Sequence, residues 1–223
     1  GVGRINPLVK RVADLGMPAV ALTDQSNMFA LVRFYKAAMA AGVKPIGGVD
    51  VLVRNPEDPN KPYRLVLLVQ NATGYRNLTE LVSRSYREGQ HLGRAMMEHD
   101  WFTADSTAGL IALSGARDGD VGRALVGGNR ILAEQRLDEW LSLFGDRYYL
   151  DLVSTGRSDE ESCVEASLML ASEEAARAIS SARRSWVLRR VKAVNGFQVK
   201  RASACRIGFW NRTMIAKGMY SRR

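Results

Sequence analysis

Two carboxylates sit where chemistry could be done: Asp24, which closes the run PAVALTD, and Asp50, which closes GGVD. Each ends a short apolar segment of strand type, and where strands alternate with helices the sites lie at the carboxyl ends of the strands. Asp24 and Asp50 alone, as oxygen donors, could hold Mg²⁺ weakly. Ser114-Gly115-Ala116 and Ser154-Thr155-Gly156 are two further strand ends of the same kind. A hydrolytic metal centre asks for imidazoles converging with carboxylates. The chain has 2 histidines, His91 and His99, and both lie in a polar stretch away from these ends, where solvated surface histidines are the plainer reading. The carboxylates also have a structural reading, with Asp24 capping the turn before Met28 and Asp50 serving as a strand-end turn residue. No Ser-His-Asp set is readable, and Gly119-Asp120-Val121-Gly122 is a G-x-x-G at a helix start rather than a phosphate-binding loop.

The elements that must position these residues follow from periodicity and turn chemistry. Asn6-Pro7 opens a helix with Leu8, Val9, Val12 and Leu15 on one face, closed by Gly16. Residues 18–23 predict a buried strand, 28–41 a helix stopped by Gly42, and 43–53 a strand broken by Gly47-Gly48. Residues 55–62 read as a loop, 64–70 as the most apolar strand, and 75–88 as a helix capped by Thr73. A glycine-containing connection past His91 leads to a short segment around Trp101, then a strand at 110–114, helices at 120–126 and 131–144, and a strand at 148–153. Ser158-Asp159-Glu160-Glu161 starts a further helix, with a polar cap and acids in the first turn. Trp101, Trp140, Tyr35 and Tyr86 fall at helical spacing among apolar residues and read as core or interface. Continuous apolar strands in βαβα order favour a parallel sheet or barrel covered by helices, in a single body domain.

Charge divides the chain in two. It carries 32 basic and 23 acidic residues, a net +9, yet from Ser181 to Arg223 there are twelve Lys and Arg and no acid, which leaves 20 against 23 for residues 1–180. A basic nucleic-acid-binding reading therefore rests on the tail alone. Within that tail, 186–194 is one amphipathic stretch with Arg189, Arg190 and Lys192 among its apolar residues. Cys163 and Cys205 are too few for a disulfide framework, no apolar run reaches the roughly 20 residues of a membrane span, and no signal peptide precedes Gly1. The expectation is a cytoplasmic protein that touches no membrane and whose true start lies upstream.

Beyond pattern, the runs PLVKRVADLGMPAVALTDQSNMFALVRFYKAAMAAGVKPIGGVD, NATGYRNLTELVSRSYREG, GLIALSGARDGDVGRALVGGN and RYYLDLVSTGRSDEES are informative as they stand. In order and without a large gap over about residues 4–175, they closely resemble the N-terminal PHP (polymerase and histidinol phosphatase) domain of bacterial DNA polymerase III alpha subunits. The resemblance implies an α/β fold, a PHP-type distorted (β/α)7 barrel, at the amino-terminal end of a replicative polymerase. The palm that carries the polymerase carboxylates, with the Mg²⁺ they use, would lie outside residues 1–223. An opening His-x-His motif would precede Gly1, and a closing strand with an Asn-Asp pair would follow about residue 177. The barrel is thus expected to be incomplete, its first and last strands missing, with open sheet edges that favour aggregation of the isolated chain. The expected division is 1–176, a partial PHP domain, and 177–223, an unrelated basic tail, out of frame or disordered.

Where metal-binding members of that family place a histidine after the TD pair, this chain has Gln25, and where they place a Glu in G-x-E it has Asp50. Ala116 stands at the cysteine of their SGC motif and Thr155 at the histidine of their NHG motif. Losing two imidazoles and a thiolate removes three of the better ligands of a trinuclear centre, so the resemblance is to the degenerate proteobacterial version. It implies no catalytic and no metal-binding residue here, with Asp24 and Asp50 the weak candidates for residual metal binding. The implied role is a scaffold that docks the separate proofreading exonuclease, the epsilon subunit, within the polymerase III holoenzyme, with DNA met through the rest of the parent protein. Two alternatives stand beside it: a metal-dependent phosphoesterase or exonuclease using Asp24 and Asp50, and nucleic-acid binding by the tail. The tail reading predicts that affinity for duplex DNA falls steeply with salt and is lost on truncation after Ser180. A fluorescence-anisotropy titration of the two chains checks it, and equal binding by the truncated chain would remove it.

Overall fold

The computed structural model describes residues 5–153, 158–180 and 215–217, so the tail readings, the stretch at 186–194 and Cys205 lie outside the described residues apart from one three-residue strand. In chain order the elements are α1 (Ile5–Asp14), β1 (Ala19–Gln25), α2 (Leu31–Ala40), β2 (Lys44–Val53), β3 (Tyr63–Val69) and α3 (Ala72–Arg87). They continue with β4 (Gln90–His91), β5 (Arg94–Met97), β6 (Leu110–Leu113), α4 (Asp120–Val126), α5 (Arg130–Phe144), β7 (Tyr148–Tyr149), α6 (Ser158–Ser180) and β8 (Ile215–Lys217). They fall into two compact units, Gly1–Leu113 with Trp140–Tyr148 and Trp210–Arg223, and Ser114–Glu139 with Tyr149–Phe209.

The first unit is built on a mixed sheet in the order β4-β5-β2-β3-β6-β7, with β1 paired to both β2 and β8. β1 and β2 run parallel from Ala19↔Lys44 to Gln25↔Asp50, and α2 between them supplies the crossover that parallel strands need. β2 and β3 are antiparallel, as are β3 and β6, which corrects the parallel sheet expected from element order. The reason is connection length: between Val53 and Tyr63 there is only a loop, too short for a crossover, so the strand must double back. Among the described residues the sheet does not close into a barrel. On one face, Val20 and Leu22 of β1 pack with Val9 and Val12 of α1 and with Phe34 and Ala38 of α2. Leu15, expected on that face, lies past the helix end and is 49% exposed.

Local chemistry explains most boundaries. Asn71, not Thr73, caps α3, its side-chain oxygen accepting the Gly74 N–H at 3.0 Å. α2 starts at Leu31 rather than residue 28 because Asn27 accepts from the Phe29 N–H at 3.1 Å and holds the preceding residues in a turn. The Gly47-Gly48 pair does not break β2, whose ladder runs unbroken through it. Gly48 is needed there instead for closeness, since a Cβ would lie 2.6 Å from the Leu67 carbonyl oxygen. The β4–β5 hairpin turns on Leu92-Gly93, both with positive φ of 47° and 74°, a geometry normally announced by Asn-Gly and therefore silent in this sequence. The last strand of the sheet, expected at 148–153, is reduced to Tyr148–Tyr149. Trp101 and Trp140 are buried, whereas Tyr35 and Tyr86 are 53% and 46% exposed. Trp140 packs with ring centroids 4.7 Å from His99, 5.3 Å from Phe102 and 6.1 Å from Tyr148, so His99 is an aromatic packing partner rather than a solvated surface residue.

The tightest approach in the unit is between α3 and the turn before β6, where a Cβ on Gly74 would stand 1.8 Å from the Gly109 carbonyl oxygen. Backbone cannot yield as a flexible side chain does, so Gly74→Ala is expected to cost about 3 kcal/mol by overpacking. For a chain of this size that lowers Tm by on the order of 10 °C, a fall that a thermal melt followed by circular dichroism reads directly.

Candidate functional site

Successive side chains along a strand point to opposite faces, and partners in a ladder share a face. Gln25 is paired with Asp50 and Thr23 with Gly48, so these positions lie together on the sheet face opposite α1 and α2. Asp24 is paired with Val49 and shares its face with Val20 and Leu22, which are packed on the helices. The two candidate carboxylates therefore stand on opposite faces of the same sheet and do not converge on one ion. Asp24 is half-buried, and desolvation raises its pKa above the ordinary value of 3.8, partly offset by a hydrogen bond from the Ala30 backbone. That bond ties it to the start of α2, in keeping with its structural reading as a turn residue.

Asp50 is 8% exposed. Its partner is Arg64 on β3, whose Nε donates to Oδ1 at 3.0 Å while Nη2 donates to Oδ2. The antiparallel register places Val66 opposite Asp50, and Arg64, two residues away, projects from the same face. A planar guanidinium bound through two nitrogens satisfies both carboxylate oxygens at once. On the same face, Thr23 is 3% exposed and its Oγ1 has no hydrogen-bond partner among the described residues. Arg64 was not among the residues singled out from the sequence. The signal was present: a lone cation at the head of an otherwise apolar strand, YRLVLLV, on the face that its alternation shares with Asp50.

The other two positions lie outside the first unit's described residues. Ala116 belongs to the second unit, where it follows Gly115 in left-handed backbone, with φ of 52° and 74°, and opens a 3-10 helix at Ala116–Asp118. It lines a small cavity there with Arg117, Asp151, Cys163 and Ser167. Thr155 lies outside the described residues. His91 is near the Asn60 side chain, 3.3 Å from its oxygen, on the β4–β5 hairpin. Among the described residues no three His, Cys, Asp or Glu side chains come together as a metal-binding group. The donor set left at the sheet end is one amide, one hydroxyl and one carboxylate already neutralised by an arginine, and it does not fit a multinuclear metal centre.

The pair has a stability signature. Arg64→Met strands a buried carboxylate and is expected to cost about 3 kcal/mol, whereas Asp50→Leu combined with Arg64→Met removes both charges and recovers most of that loss. Chemical denaturation of the two single variants and the double variant checks the coupling, and additive losses would show that the pair does not hold the sheet end.

A family profile described as the PHP domain matches residues 1–155. The DNA polymerase III subunit alpha of Pseudomonas aeruginosa is 49% identical over 172 residues, covering 77% of this chain and 15% of that protein. The subunit of Escherichia coli K12 is 44% identical over 171 residues with the same coverage, 77% and 15%. The subunit of Neisseria meningitidis serogroup A is 38% identical over 175 residues, 78% of this chain and 15% of that protein. The chain thus spans about 15% of the length of these curated relatives. In fold, it is similar to a crystal structure assigned to a metal-dependent phosphoesterase of Bifidobacterium adolescentis, with a TM-score of 0.50 at 9% identity over 76% of this chain and 79% of the other. The matched span, with an α/β sheet that carries its polar residues at a strand end, makes the chain a member of the PHP domain family.

Proposed function

We propose that the chain acts as the PHP part of a bacterial replicative DNA polymerase alpha subunit and serves there as a structural scaffold that docks the proofreading exonuclease. In this reading it hydrolyses no phosphoester itself. The observation that carries the reading is the Asp50–Arg64 pair. A carboxylate that would bind a cation in a hydrolytic centre is instead tied to a resident guanidinium, and a metal would have to displace that two-nitrogen pairing to reach it. The identity with polymerase III alpha subunits supports the assignment to that parent. Under this reading DNA synthesis and its Mg²⁺ belong to the remainder of the parent, as do contacts with DNA and with further holoenzyme subunits. Among the described residues no helix is long and apolar enough to cross a membrane.

The competing reading is the metal-dependent phosphoesterase, favoured by the fold likeness alone. It makes a separable prediction. The chain supplied with Mn²⁺ or Zn²⁺ is expected to turn over neither p-nitrophenyl phosphate nor a labelled oligonucleotide above the metal-only background. Turnover that Asp50→Ala abolishes would overturn the scaffold reading. The docking half of the proposal is tested by binding of the purified epsilon exonuclease subunit to the chain.

A further inference from the structure

Helix α2 carries on its outer side a set of large apolar side chains that nothing described covers. Val32, Tyr35 and Met39 are 68%, 53% and 56% exposed, and Phe29, in the turn that leads into the helix, is 89% exposed. At 3.6 residues per turn the three helical positions fall within an arc of about 60°, well away from the buried Phe34 and Ala38, so they form one stripe rather than scattered exposure. Surface apolar residues that occur singly need no explanation, but a clustered stripe of this kind marks a contact.

The charges beside the stripe say what kind of contact. Arg33 and Lys36 are both exposed, and no Asp or Glu occurs anywhere between Gln25 and Val49. Neither cation is in an ion pair among the described residues, whereas Arg54, Arg84 and Arg87 of the same unit are paired with Glu98, Glu88 and Glu80. A second copy of this face would set the same two cations against each other. Arg33 and Lys36 are the two cations that α2 itself carries, few for a surface that tracks a phosphate backbone. We infer that the α2 stripe is the docking surface of this domain, and that it receives a partner polypeptide's segment presenting apolar side chains flanked by carboxylates. The inference rests on the scaffold reading above and names the surface and the chemistry of its partner. In such a contact the aromatic anchors supply most of the binding, while the flanking charges set the encounter rate and the register.

The test is binding of the epsilon exonuclease subunit of Pseudomonas aeruginosa to the immobilised 223-residue chain, with circular dichroism establishing that each variant keeps its fold. Val32→Asp with Met39→Asp, and separately Arg33→Glu with Lys36→Glu, are each expected to weaken binding by about tenfold or more. The effect of the charge reversal should shrink as salt is raised, and Leu92→Asp, at an exposed position on the β4–β5 turn, should bind as the native chain does. If the exonuclease binds both double variants as tightly as the native chain, the stripe is not the docking surface, while the scaffold reading stands. If the folded native chain binds no exonuclease, both fall. If phosphatidylglycerol vesicles capture the native chain and the stripe variants lose that capture while exonuclease binding is unchanged, the face is a membrane surface and the inference is overturned.

Discussion

The pairing of β2 on both of its edges is the constraint from which the first unit is built. β1 and β5 both pair with it in parallel, β1 along its first seven residues and β5 at Leu52 and Val53, while β3 lies antiparallel on the other side. The rest of the sheet joins it through these neighbours, with β4 on β5, β6 on β3 and β8 on β1. A strand with so many backbone groups satisfied by neighbours has little freedom to shift, because a one-residue slip would carry Asp50 to the helix-covered face and Val49 to the polar one. Gly48 is part of the same constraint. It lets β3 approach to a distance that any side chain at that point would forbid.

That fixed register is what gives the strand-end residues their meaning. It sends Asp24 and Asp50 to different faces and brings Arg64 to Asp50, so the chemistry of the site is decided by strand alternation rather than by residue inventory. The cation that Asp50 meets is one from the chain itself, the Arg64 guanidinium.

Much of this was legible beforehand, and the failures have physical causes. The apolar runs at β1, β2 and β3 were readable because buried strands flanked by turn residues leave little ambiguity, although Asp50, expected to close its strand, lies inside β2, which runs on to Val53. Strand direction was misread because element order was weighed above the length of the loop after Val53, although that loop had been recognised. The hairpin at Leu92-Gly93 was missed because its turn uses a leucine in left-handed backbone, for which no residue preference gives warning. Arg64 was missed because a strand-head cation reads as solvent-facing until its cross-strand partner is known. The substituted positions Gln25, Asp50, Ala116 and Thr155 were visible from family resemblance alone, since no spacing within this chain joins the four.

The path of the chain between the two units bears on how the protein is made. The polypeptide leaves the first unit after Leu113 and returns to it at Trp140, and Trp140, Phe144 and Tyr148 then complete an aromatic cluster with His99 and Phe102. On the ribosome, the sheet from β1 to β6 must therefore wait with Phe102 and His99 lacking their ring partners until all of Ser114–Glu139 has emerged. The earlier strands can pair by then, but one wall of the core arrives late, carried by residues that lie beyond an intervening piece of the other unit.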